Sequence, residues 1–179
     1  LDTTAQVFRT LTLYALAEHQ SGHATALTLA ASGSTFSISD NGRGHGADRV
    51  IEGVPYLHFI YSHLDYPFSP PVAGAVQIQG LGMSLLNSLC SELHLTVRKP
   101  EETLLLTFRA ARRCEERRLS QANSVCGNTV HGVVRRELQA RPTDEARLEE
   151  WLCRLGQVHP GLSLNFNGKQ LAGGFRGAA

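Results

Sequence analysis

The chain has 179 residues, 42% hydrophobic and 18% charged, with a net charge of +1. That is enough for one ordinary domain with a real core, and the charge balance announces neither a nucleic-acid partner nor a membrane surface. No apolar run approaches the roughly 18 residues that a membrane span needs.

Residues 5–20 carry Val7, Phe8, Leu11, Tyr14 and Ala15 at helical spacing, and Ser21-Gly22-His23 stops the run, so a helix is expected there. Strands follow at 25–31 and 34–39, joined through Ser32-Gly33-Ser34 as an antiparallel hairpin. The second strand leads into Ser39-Asp40-Asn41-Gly42-Arg43-Gly44-His45-Gly46, which sets one carboxylate at a strand end and follows it with alternating glycines. Residues 48–61 are apolar and expected to be partly helical, with Pro55 starting or breaking a segment. Residues 62–80 hold Pro67, Pro70, Pro71 and Gly74 and are expected to form a lid-like loop.

Gly80-Leu81-Gly82-Met83-Ser84-Leu85-Leu86-Asn87 then runs into an apolar helical pattern, an arrangement that suits a phosphate chain or merely close helix packing. Residues 93–97 and 103–108 alternate as two strands. Residues 110–126 are charged and weakly patterned; Arg109, Arg112, Arg113, Arg117 and Arg118, interleaved with Glu115 and Glu116, suggest a solvated helix or loop. A strand is expected at 130–136 and an amphipathic helix at 143–158 with Thr143 as N-cap and Trp151 in the core. Residues 162–166 and 170–171 form a hairpin around Asn167-Gly168, and 172–179 is a Gly/Ala-rich tail or linker stump.

Cys90, Cys114, Cys126 and Cys153 lie apart, without CxxC or a His at zinc-finger spacing, so they are expected to be buried free thiols in a reducing cytoplasm, with no metal site. The chain begins on Leu1 and is expected to be a piece of something longer.

The Asp40 octet by itself leaves several readings open. A dinucleotide fingerprint fits poorly, because the third glycine falls at Gly46 and the preceding strand belongs to a hairpin. No GxxxxGK[ST] string exists for a P-loop. A plain surface turn remains, since Asp-Asn-Gly makes one readily.

The order of elements and both glycine boxes resemble the Bergerat-fold (GHKL) ATPases. Asp40-Asn41-Gly42-Arg43-Gly44 is similar to the family's D-x-G-x-G adenine box, and the segment from Gly80 to Asn87 is similar to the second glycine box of the B subunits of DNA gyrase and topoisomerase IV. The stretch from Gly127-Asn128-Thr129-Val130 to Leu164 resembles the last part of topoisomerase and MutL nucleotide domains. The resemblance implies an α+β two-layer sandwich over 1–171, a mixed, mostly antiparallel sheet with helices on one face. It implies that Asp40 accepts the adenine amino group with Thr129 helping through water. Asn41, Gly42 and Gly44 would line the base, with Gly44 letting it approach, while Gly80, Leu81, Gly82 and Met83 wrap the phosphates.

The catalytic helix departs from that pattern. The family's water-activating glutamate and magnesium-holding asparagine fall at Arg9 and Leu13 without a gap, or at Thr10 and Tyr14 with a one-residue gap. Neither pair offers a general base or hard oxygen ligands, and Glu18 lies two turns or more past the expected place. In the lid, Leu64-Asp65-Tyr66-Pro67-Phe68 replaces the family's lysine-bearing string, and Gln79 replaces a His. The expectation is an ATP-binding domain of a gyrase/topoisomerase IV B-subunit-like protein with hydrolysis lost or weakened and magnesium doubtful. DNA would be met only through other domains of a longer chain. The alternative is a non-catalytic module that keeps the fold to bind a protein partner; a monomeric fragment is the default state.

Overall fold

A computed structural model describes residues 2–44, 50, 51, 53–55, 57, 61 and 83–171. The elements are α1 (Thr3–Gln20), β1 (Ala26–Ser32), β2 (Thr35–Asp40), β3 (Val50–Ile51), β4 (Val54–Pro55), α2 (Met83–Leu89), β5 (Cys90–Arg98), β6 (Glu102–Arg109), β7 (Arg112–Ser120), β8 (Gly127–Val134), a 3-10 turn (Arg136–Leu138), α3 (Glu145–Val158), β9 (Ser163–Phe166) and β10 (Lys169–Leu171). Eight strands form one sheet in the order β10-β9-β1-β2-β8-β5-β6-β7, while β3 and β4 pair with each other. Among the described strands only β1 with β9 pairs in parallel. The fold is therefore an α+β sandwich with a mixed, mostly antiparallel sheet.

α1 starts at Asp2, whose Oδ1 accepts from the Ala5 amide at 2.9 Å and so satisfies an orphan donor of the first turn. Its buried residues include Val7, Phe8, Leu11 and Leu16, and α1 packs on β1, β2 and β8. The Phe8 ring meets Phe166 edge to face at 5.7 Å, joining the helix to β9. Asp2 does more than cap α1. It also accepts from the Asp144 amide, the Gln139 side chain and the Thr143 hydroxyl, fastening α1 to the entry of α3.

Alternation separates the two faces of the sheet. On the helix side one row runs Leu164, Leu27 and Asp40, then Asn128, Val97 and Leu104. On the other side a row runs Asn165, Thr28, Ser39, Thr129, Thr96 and Leu105.

The structure corrects several expectations. The charged run at 110–126 contains strand β7, exposed along most of its length; at the sheet edge no apolar alternation is needed, and pairing with β6 supplies the backbone hydrogen bonds. β8 starts at Gly127, and α3 is capped by Asp144, which accepts from the Arg147 amide at 3.0 Å. Thr143 is buried and gives its hydroxyl to Gly33 O or Asp2. Within 48–61, Val50–Ile51 and Val54–Pro55 form a small hairpin, and of the other described residues Leu57 and Tyr61 are helical, as the partly helical expectation has it. Of the cysteines only Cys90 is buried; Cys114 is exposed and the other two are half-buried. Trp151 is also half-buried, on the rim of the core. The lid at 62–80 and the tail at 172–179 lie outside the described residues.

Candidate functional site

Asp40 ends β2 on the covered face of the sheet and is buried. Its Oδ1 accepts from the amides of Gly42 at 2.8 Å and Asn128 at 3.3 Å. No described residue donates to Oδ2, so one carboxylate oxygen keeps its accepting capacity. Burial pushes the carboxyl above its ordinary value against the pull of those two amides, and the negative charge of Glu18 adds to the rise while Arg98 opposes it.

In an otherwise apolar row of leucines and valine, the two polar neighbours are Asp40 and Asn128. Asn128 stands across from Val97 on β5, whose side chain is buried, and its own carboxamide Oδ1 is buried with no hydrogen-bond partner. A buried acceptor without a donor is costly, and here it sits beside a carboxylate with an unspent oxygen. Thr129 lies on the opposite face. Its hydroxyl is 2.7 Å from Ser39 Oγ and receives Arg98 Nη1 at 2.9 Å. Thus the structure brings Asn128, not Thr129, to Asp40; the sequence motif was one residue out of phase with the pleat.

The other residues of the first glycine box have structural partners. Asn41 accepts from the Thr25 and Ala26 amides through Oδ1 and pins the start of β1. A side chain at Gly42 would meet Glu18 Oε2 at 2.8 Å and Asp40 Oδ1 at 2.9 Å. Gly44 has φ of 69°, and a Cβ there would collide with the Arg98 carbonyl. Its open side is therefore filled by β5. Arg43 makes a two-pronged ion pair with Glu18, with Nη2 to Oε1 at 2.7 Å and Nε to Oε2 at 3.2 Å.

That ion pair marks which side of α1 faces the Asp40 end. Thr10, Tyr14 and Glu18 recur every four residues and share a face, and Glu18 brings that face to Gly42 and Asp40. Arg9 lies on a different flank, its guanidinium carbon 5.4 Å over the Trp151 ring of α3. The residues in line with the Asp40 end are therefore Thr10 and Tyr14. Thr10 spends its hydroxyl on the Gln6 carbonyl, and Tyr14 is a half-buried side chain against the core.

The second glycine box is only partly described. Gly80, Leu81 and Gly82 lie outside the described residues, while Met83 begins α2 and packs half-buried against the core. Asn87, in the same motif, is buried and donates to the Tyr61 carbonyl at 3.0 Å. Among the described residues no group of His, Cys, Asp and Glu is placed to hold a metal ion, and no helix is long and apolar enough to cross a membrane.

The sheet order and the covering helices are consistent with a sandwich of the GHKL, or Bergerat, type. Among solved structures the chain is similar to the 43K ATPase domain of Thermus thermophilus gyrase B in complex with an aminocoumarin, with a TM-score of 0.78 and 22% identity. The match covers 96% of this chain and 46% of that one, so this chain spans less than half the length of the gyrase domain. At that identity the likeness is one of fold. No family model matches the sequence, and no curated protein matches it.

Proposed function

We propose that this chain is an adenine-nucleotide-binding domain of a gyrase B-like protein in which hydrolysis is lost or weakened. The observation that carries the reading is the pair formed by Asp40 and Asn128: two acceptors, one of them desolvated and charged, side by side in an apolar row under the helix layer. Such a pair suits an exocyclic amine with two N–H donors, and burial strengthens each bond by excluding water. On this reading Gly80, Leu81, Gly82 and Met83 hold the phosphates. Loss of hydrolysis follows from Thr10 and Tyr14, since a back-bonded hydroxyl is no general base and a half-buried phenol is no hard ligand for magnesium. ATP is the expected ligand, with magnesium dispensable.

The test is isothermal titration with a non-hydrolysable ATP analogue, with and without magnesium, on the natural chain and on Asp40→Asn. Saturable binding that ignores magnesium and is lost in the variant is the expected result. Absence of binding, or equal binding by the variant, overturns the reading.

A further inference from the structure

A basic, aromatic stripe lies on α3 beside the flank of α1 that carries Arg9, away from the Thr10, Tyr14 and Glu18 row. Arg147, Trp151, Arg154 and Val158 are spaced four, seven and eleven residues along α3 and so share one face. The helix turns Leu148 and Leu152 to the core. Arg147 and Arg154 are exposed, and Val158 is 69% exposed, an apolar side chain left in water. α1 adds Arg9 over the Trp151 ring, and one turn on, Leu13 is half-buried.

The guanidiniums here are incompletely paired. On α3, Glu145 is engaged by Asn167 and Glu149 by Lys169, while Glu150 holds Arg154 at 2.7 Å. Asp2 attracts Arg9 but is already bound by four donors, and Asp144 is occupied by the Arg147 amide. Among the described residues neither Arg9 nor Arg147 forms an ion pair, and Arg9 Nε is buried with no hydrogen-bond partner. Burial, and the like charges of Arg147 and Arg154, hold Arg9 below its ordinary pKa despite Asp2. Cations that repel one another therefore lie about a single indole, with Arg9 and Arg147 outside any ion pair among the described residues.

We propose that the Arg9, Arg147, Trp151, Arg154 and Val158 face docks an acidic, amphipathic peptide segment of a partner protein. Carboxylates on such a segment can take the arginine forks in two-point fashion. Its apolar side chains can cover Trp151 and Val158, and Trp and Arg are the residue types that most often anchor interfaces. A phosphate polymer would use the charges and leave Val158 and the indole edge wet, which favours the peptide. The site stands on residues separate from Asp40 and does not depend on nucleotide binding.

Trp151 is the one tryptophan of the chain, so its emission reports on this face alone. The experiment titrates the chain with a synthetic helical Glu/Leu amphipathic peptide, a Lys/Leu peptide of the same pattern, and a short DNA duplex. The proposal expects a saturable Trp151 shift with the Glu/Leu peptide only. That shift should weaken with added salt and fall about tenfold or more in affinity in Arg147→Glu/Arg154→Glu and in Arg147→Gln/Arg154→Gln. No saturable shift with the Glu/Leu peptide, an equal shift with the Lys/Leu peptide, or unchanged affinity in the variants overturns it. Binding of the duplex without the peptide overturns it in favour of a phosphate-bearing partner.

Discussion

Substituting the neighbours Asn128 and Thr129 one at a time separates the two faces of β8. In Asn128→Ala the lost carboxamide is a buried acceptor with no partner, so the folded chain gives up little. Leaving such an atom unsatisfied costs about 1–3 kcal/mol, and its removal is expected to leave stability unchanged or raise it by up to about 1 kcal/mol. A ligand N–H that bonds this oxygen contributes about 1–2 kcal/mol, so affinity for the ATP analogue should fall roughly 5- to 30-fold. Thr129→Val does the reverse. It removes a hydroxyl bonded to Ser39 at 2.7 Å and to Arg98 at 2.9 Å. Water replaces part of that loss on a half-exposed face, leaving a cost of about 1–2 kcal/mol, or a melting point lower by roughly 2–8 °C, with analogue affinity unchanged. Thermal melts and isothermal titration of the two variants measure both quantities. Weaker binding in Thr129→Val than in Asn128→Ala, or a destabilisation of Asn128→Ala beyond about 1 kcal/mol, would refute the assignment of faces.

Three further outcomes are expected. Burial would raise the Asp2 carboxyl, but its bonds from Ala5, Asp144, Gln139 and Thr143 outweigh that and hold it below its ordinary 3.8. Its stabilisation is therefore complete above that pH and lost as pH falls through the lowered value; Asp2→Asn should flatten this acid limb and cost about 1–3 kcal/mol at neutral pH by denaturant melt. Thr10→Glu with Tyr14→Asn should make analogue binding magnesium-dependent in titration, whereas Arg9→Glu with Leu13→Asn should not, because only the first pair shares the Glu18 face. Burial pushes the Cys90 thiol up to about 12, so iodoacetamide at neutral pH should label exposed Cys114 readily and Cys90 only in denaturant, as read by peptide mass mapping.

The sequence by itself determined what depends on local pattern. The α1 face of Val7, Phe8 and Leu11, the hairpin through Gly33, the final hairpin around Asn167-Gly168 and Asp40 at the end of β2 all follow from short-range periodicity and turn chemistry. The fold class followed from the family resemblance that their order and the two glycine boxes carry. Tertiary structure decided whatever rests on partners distant along the chain. β7 is a strand because β6 pairs with it, although its charged residues show no alternation. Which side of α1 meets the Asp40 end was decided by Glu18 meeting Arg43, a contact across 25 positions of sequence. Asp2, whose partners at Gln139, Thr143 and Asp144 lie more than a hundred residues away, gave no local sign of fastening α1 to α3. Choosing Asn128 over Thr129 needed the alignment of β8 with β2, because in a strand of period two a single-residue slip moves every side chain to the other face of the sheet.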